Sequence, residues 1–281
     1  MFEIASTGKS FTGILLARMA EQGDVSLSDP IDMYLPDGVV APTFEGRSIT
    51  LLDLATHTSG LPAIPENLAP ADELNPYADY TFDQMYEELD SLQLTRPIGS
   101  EYEYSNLGMG VLGHILELKV GWTYEQLVLD GITETIGMPD TRSTLTSDME
   151  SRLATSYRGT QKFPLWDNPT LAGAGNLRTT VRDLLTYLEA NLGLQASPLY
   201  DAMQLSHQRF LRVSNDLAVG LGWHVTTQPF GEVVEAHGAT GGYWCFLGFF
   251  ERPQVGVVVL TNSYNDVDQI GLDLIGASLP G

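Results

Sequence analysis

At 281 residues, 43% of them hydrophobic, the chain is long enough for one large core or for two lobes sharing a cleft. Fourteen basic against 36 acidic residues leave a formal charge of -22, a field that repels nucleic acid and anionic membrane surfaces. The single cysteine, Cys245, excludes an intrachain disulfide and any multi-cysteine metal site, and no apolar run approaches the roughly 20 residues of a spanning helix.

Phe2-Glu3-Ile4-Ala5 reads as a short strand or extended lead into a helical pattern. That pattern carries Phe11, Ile14, Leu15 and Met19 on one face, with Gly23 as its stop. Thr50 caps a short helix from Leu51 to His57, which ends in the turn Thr58-Ser59-Gly60-Leu61-Pro62. Residues 63–80, rich in Pro, Asn, Asp and Ala, read as a long surface loop. Thr81-x-x-Gln84 and Thr123-x-x-Gln126 are capping boxes that open helices. Between them Leu107, Val111, Leu112 and Ile115 give a helix from Leu107 to Lys119, with Gly121 just beyond. Thr180-x-x-Asp183 resembles a capping box before a helix over Leu184 to Leu192.

From Leu217 the character changes to short apolar or alternating runs over 220–226, 232–236, 243–250 and 255–261. Gly231 and the corner Glu251-Arg252-Pro253 separate them, as in antiparallel strands joined by hairpins. An amphipathic stretch from Val267 to Leu274 predicts a closing helix. The fold class expected is therefore α+β: one catalytic domain over 1–281, with a helical lobe over about 50–200 and a sheet lobe from 1–25 and 210–281.

Ser6-Thr7-Gly8-Lys9 places a hydroxyl and an amine three residues apart at the opening of a helix, on one face. A serine hydroxyl becomes a nucleophile once a base takes its proton, and a lysine serves when desolvation lowers its pKa. Taken alone the spacing is weak, since Ser6 as a helix cap and Lys9 as a solvated surface residue is the commoner arrangement. Tyr104-Ser105-Asn106 follows a loop and precedes a helix. Its phenol can relay a proton to a leaving group, and its amide can orient Lys9 and a substrate carbonyl. Ala236-His237-Gly238-Ala239-Thr240-Gly241-Gly242 runs from a strand into a glycine-rich turn, an edge that can offer backbone N–H to an oxyanion.

In this order the three segments resemble the serine β-lactamase and penicillin-binding-protein superfamily, in particular class C β-lactamases, DD-peptidases and family VIII esterases. Phe2-Glu3-Ile4-Ala5-Ser6, the phrase from Leu51 to Pro62 and Leu171-Ala172-Gly173-Ala174-Gly175 carry the resemblance over nearly the whole chain. It implies a β-lactamase/transpeptidase-like fold and an acyl-enzyme mechanism on a lactam, amide or ester. Ser6 would be the nucleophile and Lys9 and Tyr104 would share base and acid roles. Asn106 would hold a substrate amide, with the N–H groups of Ser6 and Ala239 as oxyanion hole and His237 and Gly238 on the substrate-binding strand. The partner implied is a small-molecule substrate; no metal or organic cofactor is implied. An esterase of the same fold and a catalytically silent binding module are the competing readings.

Two departures qualify the match. An ungapped alignment puts Ala236 where relatives carry Lys or His, with His237 on the neighbouring position and so on the other face of the strand. Relatives also have a helix and strands before the nucleophile, so an uncovered sheet edge open to an oligomeric partner is expected. Of the other histidines, His57 reads as a brace for its turn, His114 as part of an apolar helix, and His207 and His224 as structural or exposed; the stretch Glu232 to Glu235 reads as strand surface and Cys245 as a buried structural thiol. The loops over 63–80 and 155–175 are the expected cleft walls.

Overall fold

The computed structural model describes residues 1–279; the last two positions of the expected sheet lobe, 280 and 281, lie outside them. The chain opens with strand β1 (Phe2–Glu3), passes through a 3-10 turn at Ala5–Thr7 and continues directly into α1 (Gly8–Glu21). A small hairpin, β2 (Thr43–Phe44) and β3 (Arg47–Ser48), precedes α2 (Leu51–Ala55). The helical lobe continues through α3 (Phe82–Ser91), α4 (Asn106–Val120), α5 (Tyr124–Val128), a single π-helical turn, α6 (Glu134–Ile136) and α7 (Ser147–Ser151). A second hairpin, β4 (Tyr157–Arg158) and β5 (Gln161–Lys162), leads to β6 (Arg178–Thr179), α8 (Val181–Asn191) and α9 (Tyr200–Ser206). The main sheet follows as β7 (Leu211–Arg212), β8 (Leu217–Val219), β9 (His224–Gln228), β10 (Gly231–Ala239), β11 (Trp244–Phe250) and β12 (Val255–Thr261), closed by α10 (Asp268–Ser278).

The expected helix starts are present. Thr50, Thr81 and Thr123 each close a reciprocal box with the side chain three residues on, while Thr180 accepts from the Asp183 amide without the return bond. Gly121 takes the left-handed conformation that ends α4. Of the run expected as a strand over 220–226 only 224–226 is strand, the start of β9; 220–223 form the connection from β8, where Gly222 has φ +71°. The expected strand over 232–236 extends to Ala239. The N-terminal strand pairs with β6, Phe2 opposite Thr179 and Glu3 opposite Arg178, in a ribbon separate from the main sheet.

That sheet is antiparallel in the order β12-β11-β10-β9-β8-β7. One face of its centre, with Val234, Ala236, Cys245, Leu247 and Phe249, joins the main core alongside α1 and α8. The other face, with Val233 and Phe246, packs under Ile275 of α10. Burial on both faces explains why β11 reads as an unbroken apolar run rather than an alternation. Because α8 packs on β11 and β12, the sheet lobe draws on chain before residue 210. In the helical lobe α4 is central, with Leu107 to Leu116 buried all round. A Cβ on its Gly113 would stand 2.7 Å from the Cα of Gly173, so the glycine lets the 171–175 turn close against α4.

Candidate active site

Ser6 sits at the junction of both lobes, in the middle of the 3-10 turn that feeds α1. The residue before it, Ala5, is held at φ +46°, a left-handed conformation that an alanine adopts only when its surroundings impose it. They do so tightly: a Cβ on Gly238 of β10 would lie 2.5 Å from the Ser6 nitrogen, and one on Gly175 would lie 2.2 Å from the Ala5 oxygen. Strand β10 and the 171–175 turn thus grip the serine turn from two sides through bare backbone.

Lys9, the second residue of α1 and about one turn beyond Ser6, is 3% exposed. Its Nζ lies 2.9 Å from Ser6 Oγ, 2.7 Å from Asn106 Oδ1 and 2.6 Å from the Ala174 carbonyl oxygen. Burial pushes its pKa well below the ordinary lysine value, and no carboxylate offsets the shift. The Tyr104 hydroxyl donates to Ser6 Oγ at 2.7 Å. Burial raises the phenol pKa strongly, so this group carries its proton at neutral pH.

The phrase from Leu51 to Pro62 sets the Tyr104–Asn106 segment in place. His57, at φ +59°, accepts the Ser105 N–H on Nδ1 at 3.1 Å and lays its ring 4.6 Å from that of Tyr104. Desolvation lowers the His57 pKa far below 6.5, with Lys9 and His224 adding to it, which leaves the neutral acceptor this bond needs. Ser105 donates to the Pro62 carbonyl at 2.6 Å and caps α4 by accepting the Gly108 N–H, which starts the helix at Asn106. The bracing role expected of His57 is therefore observed.

Two clefts meet at Ser6 and Ala239. One, of about 50 Å³, is lined by Asn106, Tyr77 and Trp166. Trp166 Nε1 donates to the Leu74 carbonyl, and Asn75 and Asp167 bond each other twice, so the expected loops 63–80 and 155–175 do form this wall. The other, of about 540 Å³, lies over β9 and β10 and is lined by Tyr104, Tyr102, His224, Glu235, His237 and Trp244 among others.

Here the structure corrects the sequence reading. His224 is neither exposed nor remote: it lines the cleft, bonds the Tyr102 hydroxyl at 3.0 Å and stacks 5.5 Å from the His237 ring. Burial, then the charges of His237 and Lys9, push its pKa down to about 4. Glu235 is not strand surface but 5% exposed in the cleft wall, and burial, then the Asp268 carboxylate, raises its pKa to about 7. Only Glu232 fits the surface reading. The cross-strand register explains the placement. Glu235 pairs with His224, so both project from one face, and His237 follows two residues on. Ala236 points to the opposite face and borders a cavity of about 20 Å³ shared with Ser6, Lys9 and Tyr104.

A larger void of about 720 Å³ beneath the sheet, lined by His207, Arg209 and Glu232, contains none of the expected site residues. Cys245 is fully buried, and burial pushes its thiol up to about 12, in keeping with a structural role.

Comparison with known proteins bears on the family and the fold. A family model described as Beta-lactamase matches residues 1–277. The D-alanyl-D-alanine-carboxypeptidase/endopeptidase AmpH of Escherichia coli (strain K12) is 34% identical over 277 residues, covering 92% of this chain and 70% of that protein. A Beta-lactamase of the same organism is 25% identical over 296 residues, covering 93% and 75%. Among solved structures, a β-lactamase/D-alanine carboxypeptidase from Yersinia pestis complexed with citrate superposes with a TM-score of 0.85 at 24% identity, over 98% of this chain and 82% of that one. A class C β-lactamase superposes at 0.86 and 22%, over 100% and 82%. The expected α+β fold is the one these structures share.

Proposed function

The chain belongs to the beta-lactamase family and is a serine hydrolase acting through an acyl-enzyme; from that premise we propose that Ser6 is its nucleophile, Lys9 the base that activates it and Tyr104 the acid that releases the leaving group. The observation that carries this assignment is the set of partners around Lys9 Nζ. A neutral amine has two N–H donors and one lone pair. Lys9 faces two oxygens that can only accept, those of Asn106 and Ala174, and one hydroxyl that can donate, that of Ser6. Three donors of a protonated Lys9 would satisfy the same oxygens, and it is burial without a carboxylate neighbour that favours the neutral form, whose lone pair takes the Ser6 proton.

Acylation then proceeds in two balanced steps. Ser6 Oγ bonds to the carbonyl carbon as its proton passes to Lys9, and the carbonyl oxygen takes up charge between the N–H groups of Ser6 and Ala239. The carbon–heteroatom bond breaks, the heteroatom leaves with the electron pair, and the Tyr104 O–H protonates it; the proton held on Lys9 then neutralises the Tyr104 phenolate, so that both groups return to their starting states. Water repeats the sequence on the acyl carbon and returns the proton to Ser6. Asn106, bonded to Lys9 and lining the smaller cleft, holds the acyl half of the substrate.

D-alanyl peptides, by the name of the E. coli relative, lactams and simple esters are the substrate classes to test. The ester reading gains support from Ala236, because no lysine or histidine stands at that strand position to meet a substrate carboxylate. The test is intact-protein mass spectrometry after mixing with a penicillin, a chromogenic cephalosporin and a p-nitrophenyl ester. An acyl adduct is expected on Ser6 and absent in Ser6→Ala; an adduct or turnover retained in folded Ser6→Ala protein refutes the assignment.

A further inference from the structure

The leaving-group end of the site has a chemistry of its own, and the reading that follows rests on the acyl-transfer assignment above. The departing heteroatom collects its proton from the group that faces Ser6 Oγ, the Tyr104 hydroxyl. Tyr104 lines the 540 Å³ cleft and not the one lined by Asn106, so the departing half of a substrate lies over β9 and β10.

No lysine or arginine lines that cleft. Lys9 is directed elsewhere, its Nζ held by Ser6, Asn106 and Ala174. The acidic groups are placed to matter. Glu235 is 5% exposed, and its Oε2 has no hydrogen-bond partner among the described residues. On the α10 side, Asp268 Oδ2 stands 3.4 Å from His237 Nδ1, which is also buried without a hydrogen bond, while Asp268 Oδ1 accepts from Trp244 Nε1. A buried carboxylate oxygen with no donor is costly, and the cost is recovered when a cation or a strong donor meets it. Tyr102 and Trp244 add aromatic walls suited to an alkylammonium.

We propose that this cleft binds an alkylammonium group on the leaving half of the substrate, with Glu235 as its counter-charge and Asp268, behind His237 and Trp244, adding to the negative field, and that it disfavours leaving halves ending in a carboxylate. The substrate class is then an ester or amide whose departing alcohol or amine carries a second, protonated nitrogen.

The test uses three esters with one acyl group and leaving alcohols of matched length ending in ammonium, methyl or carboxylate. Each kcat/KM is normalised to the ester's own rate of alkaline hydrolysis, which removes differences in intrinsic reactivity. The ammonium ester is expected to exceed the methyl ester by about tenfold, the scale of one well-placed charge contact, and the carboxylate ester to fall below it. Glu235→Gln and Asp268→Asn each lower the ammonium-to-methyl ratio, whereas Glu232→Gln, which removes an exposed charge outside this cleft, leaves it unchanged. Asp268→Asn carries the test if Glu235→Gln fails to fold. Equal normalised rates for the three esters overturn the proposal, as does a preference that Glu232→Gln lowers as much as Glu235→Gln, which marks a diffuse field. Ser6 acylated by the methyl ester without any leaving-group preference refutes the cation subsite alone. The absence of a Ser6 adduct with all three esters refutes the acyl-transfer reading and the subsite together.

Discussion

Gly238→Ala probes the grip of β10 on the nucleophile turn. The added Cβ would lie 2.5 Å from the Ser6 nitrogen, 2.8 Å from the Ile4 oxygen and 2.9 Å from the Thr7 nitrogen, all of them backbone. Ordinary contact begins at 3.4 Å, so strand and turn must part by 0.9 Å, the difference between 3.4 and 2.5. A misplacement of about 1 Å between reacting groups costs on the order of 100-fold in rate. Overpacking of this kind costs about 1–3 kcal/mol, which for a chain of this length lowers the melting temperature by several degrees and leaves the protein folded at 25 °C. The assay is the burst rate of Ser6 acylation by a p-nitrophenyl ester, beside a thermal melt followed by circular dichroism. Acylation slowed about 100-fold in a folded protein is expected. Wild-type acylation with an unchanged melt would refute the placement of β10 against Ser6.

Tyr104→Phe removes the hydroxyl that donates to Ser6 Oγ and should slow acylation by about 10²–10⁴-fold, the usual range for a lost general acid; a change below threefold excludes that role. Ala236→Lys, which would restore the family's cation, should lower both stability and activity. The cavity beside Ala236 is about 20 Å³, room for no more than a water, and a second ammonium there would face Lys9; a gain on carboxylate-bearing lactams would refute this reading. Glu235 titrates near 7 in the folded protein against 4.5 when unfolded, so its burial costs nothing below about pH 4.5, and its cost grows as pH rises to 7. At about 1.4 kcal/mol per unit the full effect is roughly 3 kcal/mol, so Glu235→Gln should raise the melting temperature at pH 8 and leave it nearly unchanged at pH 4. An equal or lower melting temperature at pH 8 would show that Glu235 is compensated in the folded state.

What the sequence made legible was local. The Thr-x-x-Gln boxes at Thr81 and Thr123, the glycine after α4 and the apolar run of β12 depend on near neighbours, and they lie where expected. Ser6, Lys9, Tyr104 and Asn106 were found through spaced motifs, and the fold links all four in one chain of hydrogen bonds, Tyr104 to Ser6 to Lys9 to Asn106. His224 was misread because no neighbour in sequence marks it as a cleft residue, and Glu235 because its place two residues before His237, on the same face of the strand, was not used. Their role arises from the β9–β10 register, which sets Glu235 opposite His224, and from α10, which carries Asp268 to within 3.4 Å of His237. The third acceptor of Lys9, the Ala174 carbonyl, is backbone and has no side-chain signal; only the small-residue turn around it hints at a close approach. Helix α9 was missed because its seven residues are too few to display a helical period.

The distribution of charge bears on the same chemistry. With 36 acidic residues in the chain, a buried lysine has ample opportunity to acquire a carboxylate neighbour, which would hold it protonated and useless as a base. Lys9 instead meets a hydroxyl, an amide oxygen and a peptide carbonyl, so desolvation acts unopposed. Exposed acids further than about a Debye length, 8 Å in physiological salt, are screened from it. Glu235 lines the larger cleft and not the small cavity that Lys9 borders, although Ser6, Tyr104, His224 and His237 line both. Two electrostatic environments therefore meet at a single serine. In one a lysine is kept neutral enough to take a proton; in the other Glu235 Oε2 is kept without a donor and open to a cation.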